Sequence, residues 1–215
     1  MSNTPFPEGK LIAVVTSWDG GTANDRLMCQ MLEKYGYKGT FYVQPEKIGT
    51  EGYLSQEALK AIVAEGHEIG SQSLSFAESK ARLEALLGVP ILSCALPEGQ
   101  ACDSSLLDAA RAAGYNSLRT TAQASVITLE TLKRGQGMPF PVTAYFIEGF
   151  MEIQTKWVDV EEAVGGIFHL WGHPHTLGQD PNDWVDFECN LGFLGGMSNV
   201  WYGTVGELVA LVSRL

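Results

Sequence analysis

Short apolar runs alternate with amphipathic stretches along this chain, and that rhythm sets the first expectation. Segments 11–18, 39–44, 67–73, 91–96 and 117–121 carry the short, bounded apolar pattern of buried strands. Between them, 24–35, 55–65, 78–87 and 102–113 repeat apolar positions at helical spacing. Ser55 is placed to cap the second of these helices, and Gly88 and Gly114 to end the third and fourth. Strands separated by helices pair in parallel through right-handed crossovers, and about eight such units usually close into a barrel. The expected fold is therefore a distorted (β/α) barrel, a single domain over 1–215 with 1–10 as an N-terminal tail.

The second half is less regular. Strands are expected at 141–146 and 166–171 with a helix at 157–164 between them, while 122–137 has no clear assignment. A helix over 183–194 contains Asn190 and Gly192, both poor helix formers, and a last helix covers 205–215. The sequence contains no internal repeat, low-complexity tract or linker.

Composition supports one soluble core: 45% of residues are hydrophobic and 18% charged, far from the composition of a disordered chain. The net charge of -11 would repel phosphates, which argues against nucleic acid or an acidic membrane surface as partner. Residues 1–10 have no apolar run after basic residues, and no stretch is long enough to span a bilayer, so a cytoplasmic location is expected. Cys29, Cys94, Cys102 and Cys189 lack the close spacing of a zinc ribbon or redox motif and read as reduced thiols without a catalytic role.

In such barrels chemistry gathers at the C-terminal ends of the strands, where this chain places Asp19, Gln72, Glu98, Arg119 and His173. Asp19 precedes Gly20-Gly21, a turn that leaves its carboxylate either at the barrel mouth or bonded to local backbone. His169, His173 and His175 alternate, so an extended backbone would set them on one face as a metal site. Gly172 and Pro174 argue that the strand stops first, which favours His173 as an acid or base. Glu98 and Arg119 suit either a substrate clamp or, preferably, an ion pair bracing the mouth.

Several segments taken in order resemble the polysaccharide deacetylase family, carbohydrate esterase family four, with its NodB-homology domain. Thr16-Ser17-Trp18-Asp19-Gly20-Gly21 resembles the first motif, whose first aspartate is the catalytic base and whose second binds metal. Asp19 keeps the base and Gly20 replaces the ligand. Gly66 to Phe76 is similar to the second motif, where Gln72 and Phe76 stand at the two histidine ligand positions. Ala95-Leu96-Pro97-Glu98-Gly99 replaces a segment that usually carries an aromatic or arginine. Ala113-Gly114-Tyr115, His169 to His173 and Trp201 to Thr204 continue the likeness through most of the chain.

The resemblance implies a divalent metal such as zinc that polarises an acetamide carbonyl, an aspartate base acting on water, and a late histidine that protonates the leaving amine. Here all three ligand positions are replaced, by residues offering nothing better than a neutral amide oxygen, so metal binding there is expected to be abolished and no cofactor is expected. A less polar cavity near Trp18, Phe76 and Leu96 is expected in its place, holding a small molecule or sugar. The alternatives are a metal-free catalyst using Asp19, His173 or Glu98, and a deacetylase recruiting metal through Asp19, His169 and His173. The oligomeric state is not legible.

Overall fold

The computed structural model describes residues 4–177, 180 and 182–212. The first half follows the expected rhythm closely: β1 Ile12–Gly20, α1 Asp25–Lys34, β2 Gly39–Val43, α2 Gln56–Ala64, β3 Glu68–Gln72, α3 Phe76–Leu87, β4 Ser93–Ala95, α4 Ser104–Ala112 and β5 Ser117–Gln123. Local chemistry sets the ends. Ser55 accepts a hydrogen bond from the Ala58 amide to start α2, Asp103 does the same for Leu106 at α4, and Gly88 ends α3 with φ 73°.

The second half departs from expectation in three places. After β6 Ile127–Thr128 and α5 Leu129–Arg134, the strand expected over 141–146 is split into β7 Phe140–Val142 and β8 Ala144–Tyr145. Thr143 lies at the break, where its amide donates to the His169 carbonyl 2.9 Å away. The helix expected over 157–164 is α6 Phe150–Glu162, which starts seven residues earlier because Ile153, Trp157 and Val160 share its buried face, while exposed Met151 obscures the pattern. After β9 Gly166–Gly172 and α7 Asp183–Leu194 comes a strand that the sequence did not suggest, β10 Val200–Gly203, before α8 Val205–Val212. Asn190 is tolerated inside α7 because its amide donates to the carbonyls of Phe146 and Glu148 at 3.2 and 2.9 Å. Residues 213–215 of the expected last helix lie outside the described residues.

Among the described residues ten strands form one sheet in the order β6-β9-β1-β2-β3-β4-β5-β7, with β8 on β9 and β10 on β1. All pairs are parallel except β6 with β9, so the sheet curls into the nearly closed barrel that the alternation predicted. Strand β10 takes the lower part of one edge of β1, ending at Val15↔Gly203, and β2 takes the upper part from Thr16↔Gly39.

Two apolar cores flank the wall. Val14, Trp18, Phe168 and Leu170 face one way, into the layer of helices that contributes Met28, Leu32, Trp157 and Phe187. Ala13, Val15 and Ile167 face the other way and pack on α5 and α8 through Leu132, Val205 and Leu208. Phe6 is buried and its ring stacks 6.3 Å from Trp201. Among the described residues no helix is long and apolar enough to cross a membrane.

Candidate active site at the barrel mouth

The second face of the wall changes character as it rises. Above Val15 and Ile167 the same alternate positions become Ser17, Asp19, His169 and Trp171, and they open at the top into a cavity of about 420 Å³. Asp19, Gly20, Thr22, Asn24, Gln44, Tyr53, Gln72, Glu98, His173 and His175 line it. One wall is built by the loop after β1 clasping a distant turn: Thr22 bridges to Tyr53, the Ala23 amide donates to Gly52 and the Leu54 amide to Gly21. Gly20 and Gly21 make that loop possible, with φ values of 120° and 68° that side chains rarely adopt.

Asp19 is almost fully buried, and its Oδ1 accepts a hydrogen bond from Nη2 of Arg119, which is equally buried. Arg119 therefore braces Asp19, not Glu98, which is exposed at the rim. The guanidinium lies between the rings of Tyr42 and Trp171, 5.2 and 5.3 Å from their centres, where ring faces favour a cation. Its register partner on β4 is the small Ala95.

His173 turns Nε2 to within 3.7 Å of Asp19 Oδ2, while its Nδ1 lies 3.3 Å from the Tyr145 hydroxyl. Desolvation lowers its pKa, opposed in part by the Asp19 charge. Gln72 presents its amide oxygen to the Gln44 amide, which donates at 3.3 Å. His169 is elsewhere: fully buried, its Nδ1 donates to the Pro141 carbonyl and its Nε2 accepts from Ser17 Oγ, both at 2.8 Å. Burial pushes its pKa down to about 3. The three-histidine face is thus not formed, because His169 points into the barrel and the strand stops at Gly172.

The expected apolar pocket is corrected as well. Trp18 packs against Phe146 and Phe187 at 5.6 and 5.8 Å, Phe76 against Tyr115 at 6.1 Å, and Leu96 sits in the same core. None of the three lines the cavity, where carboxylates and imidazoles stand beside amides and hydroxyls. Thr22, Asn24, Gln44, Tyr53 and Tyr145 were missed by sequence reasoning. Gln44 could have been found as a polar residue ending a strand, but Tyr53 reaches the site only through the loop pairing.

The residues at the mouth do not fit a divalent ion. Asp19 already binds a cation, Gly20 has no donor, the Gln72 oxygen is engaged by Gln44, Phe76 is in the core and both His169 nitrogens are occupied. Among the described residues, the one group of His, Cys, Asp and Glu whose ligand atoms converge within 4.8 Å is Cys29, Glu65 and His67, at the opposite end of the barrel. It fits no better. Arg26 grips Glu65 at 2.7 and 2.8 Å, His67 Nδ1 accepts from the Gly39 amide, and burial pushes the Cys29 thiol up to about 12.

Residues 8–81 match the polysaccharide deacetylase family model, and the chain superposes over its whole length on one solved structure described as a polysaccharide deacetylase. The chain has the polysaccharide deacetylase fold. A Mycobacterium smegmatis protein assigned as a polysaccharide deacetylase aligns over 100% of this chain and 95% of its own, with TM-score 0.70 and 15% identity. A Bacillus anthracis pseudoenzyme of carbohydrate esterase family 4 aligns over 97% of this chain and 66% of its own, with TM-score 0.56 and 14% identity. A mutant of that pseudoenzyme with restored enzymatic activity covers 97% and 69%, with TM-score 0.56 and 13% identity. No curated protein matches the sequence. At these identities the deacetylase likeness is one of fold, and activity has to be argued from the site.

Proposed function

We propose that this deacetylase-fold barrel holds a small molecule or sugar in the Asp19 cavity and that the metal-dependent hydrolysis of its fold family is absent. The Arg119 guanidinium on Asp19 carries the reading, because a metal bound there would have to displace or tolerate a buried cation already seated on its carboxylate. Gln44, Gln72, Asn24 and Thr22 supply hydrogen-bonding groups suited to a neutral polyhydroxylated or amide-bearing ligand. The decisive experiment is elemental analysis after incubation with excess zinc or cobalt and removal of unbound ions. No stoichiometric metal is expected, and one equivalent would overturn the proposal. Calorimetric titration with N-acetylated sugars then tests the ligand class, with binding expected to weaken in Gln72→Ala.

The approach of His173 Nε2 to Asp19 Oδ2 favours a second reading, metal-free proton transfer by these two residues. Loss of turnover in Asp19→Asn with the fold intact would support it, and unchanged turnover would end it.

A further inference from the structure

Gln44 and Gln72 stand side by side at the mouth, one step past the last register pair of β2 and β3, Val43↔Ser71. Gln44 keeps an extended backbone, with φ -91° and ψ 109°, so strand alternation turns it the same way as Tyr42, toward the inside of the barrel. Both side chains line the cavity, and Gln72 is only 4% exposed. Their carboxamides share a single hydrogen bond, in which Gln44 Nε2 donates to Gln72 Oε1 at 3.3 Å. Among the described residues neither Gln72 Nε2 nor Gln44 Oε1 has a partner. An unused donor on a side chain this buried is costly, and its partner must come from the cavity, as water or as ligand.

One bond between two carboxamides leaves a defined pattern, a free N–H on Gln72 next to a free carbonyl oxygen on Gln44. Exchanging oxygen and nitrogen in both side chains only swaps the roles, so the pattern holds whichever way the two amides are turned. A third amide that offers its carbonyl to Gln72 and its N–H to Gln44 closes a ring of three amides joined by three hydrogen bonds. Only an amide with N–H and C=O on the same edge can do this, because in an ordinary trans secondary amide the two point in opposite directions. Primary carboxamides, lactams and cyclic ureides have such an edge. The acetamido group of an N-acetylated sugar is trans, and it can make one of the two bonds but not both.

We propose that the Gln44 and Gln72 pair is the specificity element of the cavity, selecting ligands with a syn amide edge, in a primary carboxamide or within a ring, over trans secondary amides. This deepens the reading of the Asp19 cavity as a ligand site and rests on it. Both side chains are neutral, so the selection is made by hydrogen-bond pattern and not by charge. A neutral ligand also suits a mouth where the Asp19 carboxylate is already paired with Arg119.

Side-chain amide ¹H–¹⁵N spectra of the full chain, titrated with small amides, test the proposal. Acetamide and δ-valerolactam carry the syn edge, N-methylacetamide is trans, and N-methyl-δ-valerolactam keeps the ring but has no N–H. The first two should shift the Gln44 and Gln72 amide signals with affinities about tenfold above those of the last two, the worth of one hydrogen bond whose loss leaves a partner unsatisfied. A response to acetamide alone would assign an open primary carboxamide, and a response to δ-valerolactam alone a ring amide. Gln44→Leu, at a half-buried position, should abolish the preference with an unchanged melting profile. Gln72→Glu keeps the shape but replaces the donor with an acceptor, and it should abolish the preference too. Equal responses to all the probes, or a preference that survives in Gln44→Leu, would overturn the assignment. N-acetylglucosamine separates this proposal from the reading beneath it. If that sugar shifts the Asn24 and Thr22 signals while neither syn amide does, the cavity is a ligand site and the amide pair is not its selector. If no probe shifts any lining residue, both fail.

Discussion

The two faces of the barrel wall carry opposite chemistry on the same strands. On β1 and β9 the outer positions Val14, Trp18, Phe168 and Leu170 are apolar and meet helices, with Thr16 the buried polar exception between the first two. The inner positions begin apolar at Ala13, Val15 and Ile167 but end in Ser17, Asp19, His169 and Trp171. The outer face is held by area and shape, where substitutions of similar volume cost little. The inner face is held by paired charges and shared protons, where removing one partner strands the other.

Breaking the inner pair should therefore give the largest effect. Arg119→Met leaves the Asp19 carboxylate buried without its cation and is expected to destabilise the fold by about 4 kcal/mol in denaturant titration. Adding Asp19→Asn to it should recover most of that loss. An additive double mutant would mean that the two residues act independently. On the outer face Leu170→Ala should cost about 3 kcal/mol through its cavity, with ligand binding and the His173 titration unchanged.

Asp25 sharpens the contrast, as a second buried carboxyl one loop away that has no cation. Its Oδ2 has no hydrogen-bond partner among the described residues, Oδ1 accepts from Thr22 at 3.1 Å, and desolvation raises its pKa to about 8. The folded state thus keeps a proton that the unfolded chain releases near 3.8, so stability falls as pH rises between those values. Relative to Asp25→Asn, the wild type should lose about 1.4 kcal/mol per pH unit between pH 5 and 8, and parallel stability curves would refute this.

Two histidines act in the opposite sense. Burial lowers His67 to about 4 and His169 to about 3, so the native state resists protons that the unfolded chain takes up near 6.5. Stability from these groups is fully present above 6.5 and lost as pH falls toward 4 and then 3. His169→Gln should flatten the acid side of the stability curve.

The smallest expected effect is on metal content. Gly20→Asp with Gln72→His restores two ligand types but should bind no stoichiometric zinc, because φ 120° at Gly20 disfavours a side chain and Arg119 still occupies Asp19. Tight binding by that double variant would show that the mouth needs only its ligands replaced.

How much was legible follows the same division. The first five strands and four helices could be read to within a few residues, because each buries an apolar stripe against a neighbour close in sequence. Strand β10 could not, since Val200 to Gly203 is four residues long and exists only because β1 offers it the edge below β2. Trp18, Phe76 and Leu96 were expected beside Asp19 from sequence adjacency, but strand alternation and the start of α3 turn them to the opposite face.

Residue types and their periods settled the parallel barrel and the set of polar strand ends, because alternation and helical spacing are local properties of a chain, whereas the three replaced ligand positions came from the family resemblance. The choice of partners was decided in three dimensions. Arg119 pairs with Asp19 across 100 residues, Ser17 with His169 across 152, and Tyr145 with His173 across 28. Each depends on strand register, which is not encoded in the spacing of any one segment.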